Sequence, residues 1–574
     1  MRATWRHVSR AAAAAVALGA VLATGMRAQA PQALQALIVE DFLTLPMTGS
    51  PTADGNPGSL ARVSVMHEEP GGRGRLFISD LNGPLYIVNK ATKAIATYLD
   101  FNGRGAKTGL FERLPYEAGY QNGFISFRFD PGYTENGIFY TLHMEEPAVP
   151  GTTTVPDNRR FPGLTLTGYT PTAAVKTPGP VQREVVLIEW TDRETGNTSF
   201  EGTARELLRI EMNTRIHPPG DLIFNPTARP GDSDWRVLYV ACGDGGAGEQ
   251  QGPMRQNPQR LDTLVGKILR IVPDLSLHPE TTTLSDNGRY RIPRDNPFAD
   301  VPGARREIWA YGFRNPHRLT WDAGPATRTG RLIAASIGLS TWESIYVVRK
   351  GFNYGYPARE GNELLQADSR TAPLPDDDEI PVQISDRQTR GTVRPTYPVV
   401  QYAHTADGGD AISGGFAYRG RRLPALQGYF VFGDITTGKV WVANMGRILT
   451  VDDGNPATIA ELHPLQIGWD DPNDRPDAGL RVFPSMFPVV LSGYAARGGV
   501  DPNLPGQSTI SGPGRADIRF AVDAAGELYI LSKADGTIRA VTGVTTSPRP
   551  PAPPASSAPP ASAGPASTVA PARN

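Results

Sequence analysis

RLFISDLNGPLYIV, residues 75–88, is a short β-rich run, a polar turn and a second β-rich run. The pattern returns as GIFYTL (137–142), WRVLYVACGD (235–244), RLIAASIGLSTWESIYVV (331–348), YFVFGDITTGKVWVA (429–443) and ELYILSKADGTIRAV (527–541). Six such units with no helical pattern between them predict radial repetition: an all-β, six-bladed β-propeller with long inserted loops, which leaves few sheet edges exposed. From the third unit on, the spacing is roughly a hundred residues, long for a blade, so sizeable loops lie between units. A sandwich or a tandem of small β domains is the alternative for this texture. Abundant Gly and Pro, 62 and 53 residues, punctuate the apolar runs throughout and speak against a helical fold.

The 574 residues carry a formal net charge of −1 with no basic cluster, which argues against a nucleic-acid partner. At the N-terminus, Arg2, Arg6 and Arg10 precede an apolar run at 11–25, and Ala28-Gln29-Ala30 offers small residues for cleavage. Residues 1–30 read as a Sec-type signal peptide, which predicts a periplasmic or secreted protein. The apolar run is too short to span a bilayer comfortably, and no other stretch could cross one. The last stretch, 545–574, is Pro, Ala and Ser with little apolar bulk, and reads as an extended tail. The propeller is therefore expected over 31–544. Cys242 is the one cysteine, so an exported chain has no internal disulfide. Its apolar surroundings predict an inert core thiol.

Two segments break the repeat. Residues 147–202, rich in Thr, Pro and Gly, read as a surface excursion containing one strand-like run at 185–190. Residues 359–396 carry four consecutive acids, Asp376 to Glu379, and read as a solvated loop.

Chemistry is most legible in REIWAYGFRNPHRLTWD, residues 306–322. A strand at 308–311, a turn at Gly312 and a second strand at 319–321 place Arg314 and Asn315 at a strand end. A guanidinium fork beside an amide there suits a planar, oxygen-rich anion. His217, in RIHPPGDLIFN (215–225), precedes a Pro-Pro-Gly turn and a strand. A neutral imidazole on such a loop can take a hydroxyl proton, although an ordinary structural His is the commoner case. Gly243-Asp244-Gly245-Gly246 reads first as a tight turn whose Asp bonds its own backbone. Gln121-Asn122-Gly123 is likewise an ordinary turn unless its amides face a pocket. Gly338-Leu339 with Glu343 offers carbonyls and a carboxylate suited to a hard cation such as Ca²⁺.

The order of motifs QNGFISFRFDPGYTENGIFY, IHPPGDLIF, LYVACGDGG, LVGKILRIVPD, IPRDNPF, EIWAYGFRNPHRLTWD, WESIYVVRKGFNYGYPAREG and SGGFAYRGRRLPALQGYFVFGD resembles the glucose/sorbosone dehydrogenase family, the soluble pyrroloquinoline quinone (PQQ)-dependent aldose dehydrogenases. The resemblance runs from about residue 62 to 543. It implies a six-bladed propeller with PQQ and Ca²⁺ over the central channel. It further implies oxidation of an aldose, or a related aldehyde or hemiacetal, to a lactone or acid. Electrons would pass to an external acceptor, a quinone or cytochrome. Carried over, His217 matches the general base, Gln121 a substrate-side amide, Arg314 and Asn315 the PQQ contacts, and Gly338 and Leu339 the carbonyls at Ca²⁺. The chain departs from the pattern at Asp221, where the family has Arg, and at Ile216, where the glucose-oxidising branch has Asp. That branch has a PQQ-carboxylate Lys where this chain has Thr436, with Lys439 the nearby substitute. Arg515 and Arg519 are the candidate counterparts of its late Arg pair. The rival expectation is a non-enzymatic extracellular binding propeller that has lost PQQ.

Overall fold

The strands of the repeated units are buried on both faces; Leu238–Cys242 and Leu528–Ser532 are buried at every position. That explains why they read as continuous apolar runs and not as an alternation. The computed structural model describes residues 33–547 except 54–55, 116–120, 250, 325–329, 473–478, 500–501, 509 and 511. The expected signal peptide and nearly all of the expected tail lie outside the described residues. Gln35–Thr545 form one compact unit; the second, Met1–Leu34 with Thr546–Asn574, falls almost wholly outside them.

The chain folds as a six-bladed β-propeller. Its innermost strands are Val63–Glu68, Phe124–Phe129, Pro219–Phe224, Asn315–Asp322, Ile412–Ala417 and Ile518–Val522. Each touches the next and the last touches the first, closing a ring around a channel. Three further strands follow each of them outward; blade 2 adds a two-residue edge strand, Leu164–Thr165. Blade 6 is completed by the N-terminal strand Ala33–Thr44, which pairs with Thr537–Ser547 on one side and, in parallel, with His463–Trp469 of blade 5 on the other. The six repeated units fall on the middle strands of the six blades, and the apolar core lies between neighbouring blades. Phe77 of blade 1, for example, meets Phe129 of blade 2 edge-on at 4.9 Å. Cys242 is buried and free, and burial pushes its thiol up, as expected of an inert core residue.

Two expectations change. The run at 185–190 is no excursion: it belongs to Arg183–Asp192, the third strand of blade 2, with Trp190 fully buried against Phe139. The long Thr/Pro/Gly insertion before it hides its partnership with Ile138–Glu145. In the 359–396 insertion, Asp378 is not a solvated acid; it is buried and takes hydrogen bonds from Arg359 and Tyr397.

Ring closure rests on a charged clamp. Arg539, with no exposure, donates to Asp41 Oδ1 of the N-terminal strand at 2.8 Å and to Asp535 at 2.7 Å, while Trp469 Nε1 donates to the same Asp41 oxygen at 3.1 Å. Arg539 keeps Asp535 as its buried counter-charge, so losing the partly exposed Asp41 removes the contacts that hold the N-terminal strand without leaving a bare charge. Asp41→Ala is therefore expected to lower stability by about 1 kcal/mol, read as the denaturant midpoint; an unchanged midpoint would refute the clamp.

Candidate functional site

Because the ring is closed, each blade begins at the channel, and the segment entering its innermost strand ends on the same face. Gln121 precedes the inner strand of blade 2, His217 that of blade 3, Arg314 that of blade 4, Asp410 that of blade 5 and Arg515 that of blade 6. All five line one cavity of about 580 Å³. The turns joining second to third strands open on this face too and add Gly338 and Leu339 (blade 4), Thr436 (blade 5) and Lys533 (blade 6). The stretch 306–322 sits where it does because it runs from the outermost strand of blade 3, Ile308–Tyr311, into the innermost strand of blade 4.

His217 is held in a left-handed backbone, φ 52°, which a residue with a Cβ adopts rarely. Its Nδ1 lies 2.7 Å from Asp244 Oδ1. A carboxylate only accepts, so this contact puts the ring proton on Nδ1 and leaves a lone pair on Nε2. Asp244 is fully buried and also accepts from the amides of Gly246 (2.8 Å) and Gly248 (2.9 Å). Its turn packs directly on the histidine: a Cβ on Gly243 would lie 2.4 Å from the His217 carbonyl oxygen. The Asp244 loop thus forms the expected turn and, beyond it, a His–Asp pair.

Arg314 donates to the Glu249 carboxylate and to the carbonyls of Ile337 and Gly338, and its Nε is buried without a partner. Burial disfavours its charge, but Glu249 alongside outweighs burial and holds the guanidinium above its usual range. Glu249 also lies 3.8 Å from His217 Nε2. Asn315 Oδ1 and Gln121 Oε1 are likewise buried without partners, while Gln121 Nε2 donates to the Gly220 carbonyl at 3.3 Å.

Several expected contributors lie elsewhere. Lys439 is not in the cavity wall; its Nζ donates to the Ala406 carbonyl at the surface. Asp221 points down the channel, where it accepts from Leu319 N at 3.0 Å and Leu222 N at 2.9 Å. Glu343 takes the amides of Gly338 and Ile412 and the ring of His404, at 3.0, 2.8 and 2.8 Å. The amides of Leu339, Ser340 and Thr341 converge on Glu360 at 2.7–2.9 Å.

These arrangements bear on the two groups implied by the resemblance. A wall carrying Arg314, Arg515, Arg519 and Lys533, with orphaned polar atoms on Arg314, Asn315 and Gln121, fits a planar polycarboxylate such as PQQ. Ca²⁺ fits poorly. Glu343 is committed to other partners, the Gly338 carbonyl accepts from Arg314, and no three His, Cys, Asp or Glu among the described residues are grouped to hold a metal. Sequence reasoning missed His317, Lys533, Asp410 and the pairing role of Asp244. Of these, only Asp244 carried a local signal, in its Gly-Asp-Gly-Gly run.

The glucose / sorbosone dehydrogenase family model matches residues 68–454, from the end of the first inner strand into blade 5. The chain belongs to the glucose/sorbosone dehydrogenase family. Among its relatives, the HIPL1 protein of Arabidopsis thaliana is 25% identical over 402 residues, 67% of this chain and 53% of the relative. Quinoprotein glucose dehydrogenase B of Acinetobacter calcoaceticus is 22% identical over 349 residues, 57% of this chain and 58% of the relative. Hedgehog-interacting protein of Mus musculus is 24% identical over 268 residues, 46% of this chain and 30% of the relative. The chain thus spans about half the length of the plant relative. Among the described residues no helix is long and apolar enough to cross a membrane.

His317 lines the same cavity, buried, with neither ring nitrogen partnered. Burial, then Arg318, Arg519 and Lys533, push its pKa well below the usual value. The unfolded chain takes up this proton near pH 6.5 and the folded chain does not, so stability falls as pH drops below about 6.5. His67, lowered mainly by burial, adds to this trend, and His404, raised by Glu343 against burial, opposes it. His317→Gln should flatten the stability slope between pH 6.5 and 5 by up to about 1.4 kcal/mol per pH unit. Denaturant unfolding at several pH values checks this; an unaltered slope would mean that His317 is charged in the fold.

Proposed function

We propose that the protein is a PQQ-dependent sugar dehydrogenase that oxidises an aldose, or a related aldehyde or hemiacetal, to its lactone or acid. The observation that carries this reading is the His217–Asp244 pair, whose Nε2 faces the same cavity as a wall of four cations. The family and the quinoprotein relative support it. When bound, PQQ supplies the two-electron acceptor for the substrate's hydride. His217 Nε2 takes the proton of the sugar hydroxyl as its C–H bond breaks. Asp244 holds the ring in the productive tautomer and stabilises the imidazolium that forms. Gln121 orients the substrate from blade 2, and Arg314 with Asn315 grips the anionic ligand from blade 4. Electrons then leave to an external quinone or cytochrome. The leader pattern at 1–30 supports placing this reaction in the periplasm or outside the cell.

One observation favours a second reading, a non-enzymatic binding propeller. Arg314 is already engaged by Glu249 and the Gly338 carbonyl, so the cavity is partly satisfied by its own residues.

The two readings separate in one experiment: reconstitute the purified chain with PQQ, with and without Ca²⁺, and follow dye reduction over a panel of aldoses. The dehydrogenase reading expects PQQ-dependent turnover, and a loss of about 10²–10⁴ in kcat for His217→Ala, with Asp244→Asn also impaired. Absence of PQQ-dependent turnover, or turnover indifferent to His217→Ala, would leave the binding propeller.

A further inference from the structure

The lysine that the glucose-oxidising branch is expected to set against a PQQ carboxylate is replaced here by Thr436, and its neighbour Lys439 does not fill the gap. Thr436 Oγ1 lies within hydrogen-bond reach of Asp410 and, at 2.8 Å, of Asp434, so its one O–H is already taken by a carboxylate, while Lys439 reaches away to the Ala406 carbonyl. The corresponding turn of the next blade carries a different cation. Lys533 follows the second strand of blade 6, Leu528–Ser532, and its side chain, only 4% exposed, lines the cavity.

We propose that Lys533 supplies the ammonium that anchors a carboxylate of the bound quinone, so that this chain has moved the anchoring cation from blade 5 to blade 6. The proposal rests on the quinoprotein reading for the identity of the ligand. Its physical basis is a charge imbalance on that side of the cavity. Lys533 at 3.1 Å, Arg519 at 3.5 Å and Arg515 at 3.8 Å all converge on one carboxylate, Asp517, which stands behind the wall and not in it. Two buried cations, Arg519 and Lys533, with the partly exposed Arg515 beside them, face one buried anion and leave positive charge that a further anion would compensate. Nε of Arg515 and of Arg519 are buried without partners, as expected of a site that awaits acceptors. Burial, followed by the repulsion of Arg519, lowers the Lys533 pKa well below the usual lysine range, and burial lowers that of Arg519 to about 9, so a further anion at this wall would favour the charged form of both. An ammonium has three donors, so an ion pair with Asp517 at 3.1 Å leaves at least two for other acceptors. A carboxylate entering the cavity meets the others without rearranging the cluster.

The test measures binding, not turnover. PQQ is titrated into the full-length chain by isothermal calorimetry, and citrate, a tricarboxylate without quinone chemistry, is scored by thermal shift. The variants are Lys533→Met, Lys533→Gln, Lys533→Arg and Lys439→Met. Lys533→Met and Lys533→Gln should weaken PQQ by about tenfold or more, the strength of a lost charge-assisted contact. Lys533→Arg should restore most of the affinity, and Lys439→Met should bind as wild type. The neutral variants should not unfold, because Arg515 and Arg519 still compensate Asp517; Lys533→Gln, which keeps a donor, serves if Lys533→Met does not fold. Unchanged PQQ affinity in both neutral variants, or an equal loss in Lys439→Met, overturns the proposal. If wild type binds citrate but not PQQ, and the neutral variants lose citrate, the quinone reading falls while Lys533 stands as an anion anchor. Wild type that binds neither overturns both.

Discussion

A closed ring of blades obliges every innermost strand to run in the same sense, and the rest of the site depends on that constraint. The entrances to these strands, together with the turns between second and third strands, are brought to one face however far apart they lie in sequence. Residues 121, 217, 314, 410 and 515 share a cavity for this reason, each contributed by a different blade. The ring in turn depends on the N-terminal strand, which completes blade 6 and is gripped by Arg539 and Trp469 through a single carboxylate, Asp41. Loosening that strand would unfasten blade 6, which holds Arg515, Arg519 and Lys533, before it disturbed the blade that holds His217.

The cavity is organised by charge more than by shape. Its cations are kept in place by internal anions of two kinds. Asp517 is a permanent counter-charge behind the wall, buried and outnumbered. Glu249 is a half-exposed carboxylate inside the cavity, bound to Arg314 and close to His217 Nε2. An anionic ligand reaching Arg314 competes with Glu249, whereas one reaching Lys533 has no carboxylate in the wall to displace from it. Binding is therefore expected to begin on the blade 6 side and to complete on the blade 4 side. The exposure of Glu249, 36% of its side chain, makes its withdrawal into water inexpensive compared with moving any fully buried acid.

How much of this could be read in advance follows from where each residue sits. The propeller was legible because its middle strands are buried on both faces and so stand out as uninterrupted β-rich runs. Arg314, Asn315 and His217 were legible because each flanks such a run with a residue type that a turn does not need. Blade 2's third strand was not, since a long insertion separates it from the hairpin that recruits it, and local pattern does not record a partner forty residues away. Lys533 was hidden for the opposite reason: it lies inside an ordinary hairpin unit, ELYILSKADGTIRAV, where a lysine after a strand is the commonest of surface residues. Only the ring turns that position inward. Lys439 made the converse error possible, being near the expected place in sequence while its amine reaches out to a surface carbonyl.

Asp244 shows why the turn reading and the catalytic reading of a Gly-Asp-Gly-Gly run are not alternatives. Its Oδ1 accepts from His217 and from the Gly246 amide, and its Oδ2 accepts from the Gly248 amide, so one side chain both shapes the loop and sets the imidazole's proton. The loop fits no larger residue at Gly248, where a Cβ would lie 2.5 Å from Asp244 Oδ2 and 2.0 Å from the Tyr356 hydroxyl. An asparagine at 244 has one acceptor oxygen for these three donors. If that oxygen stays with His217 and Gly246, the amide nitrogen confronts the Gly248 N–H and the loop loosens. If the amide turns round, its N–H meets His217 Nδ1, the ring proton moves to Nε2, and the lone pair that faces the cavity is lost. Only a carboxylate satisfies the loop and the base together, and the glycines around it are what allow the backbone to come close enough.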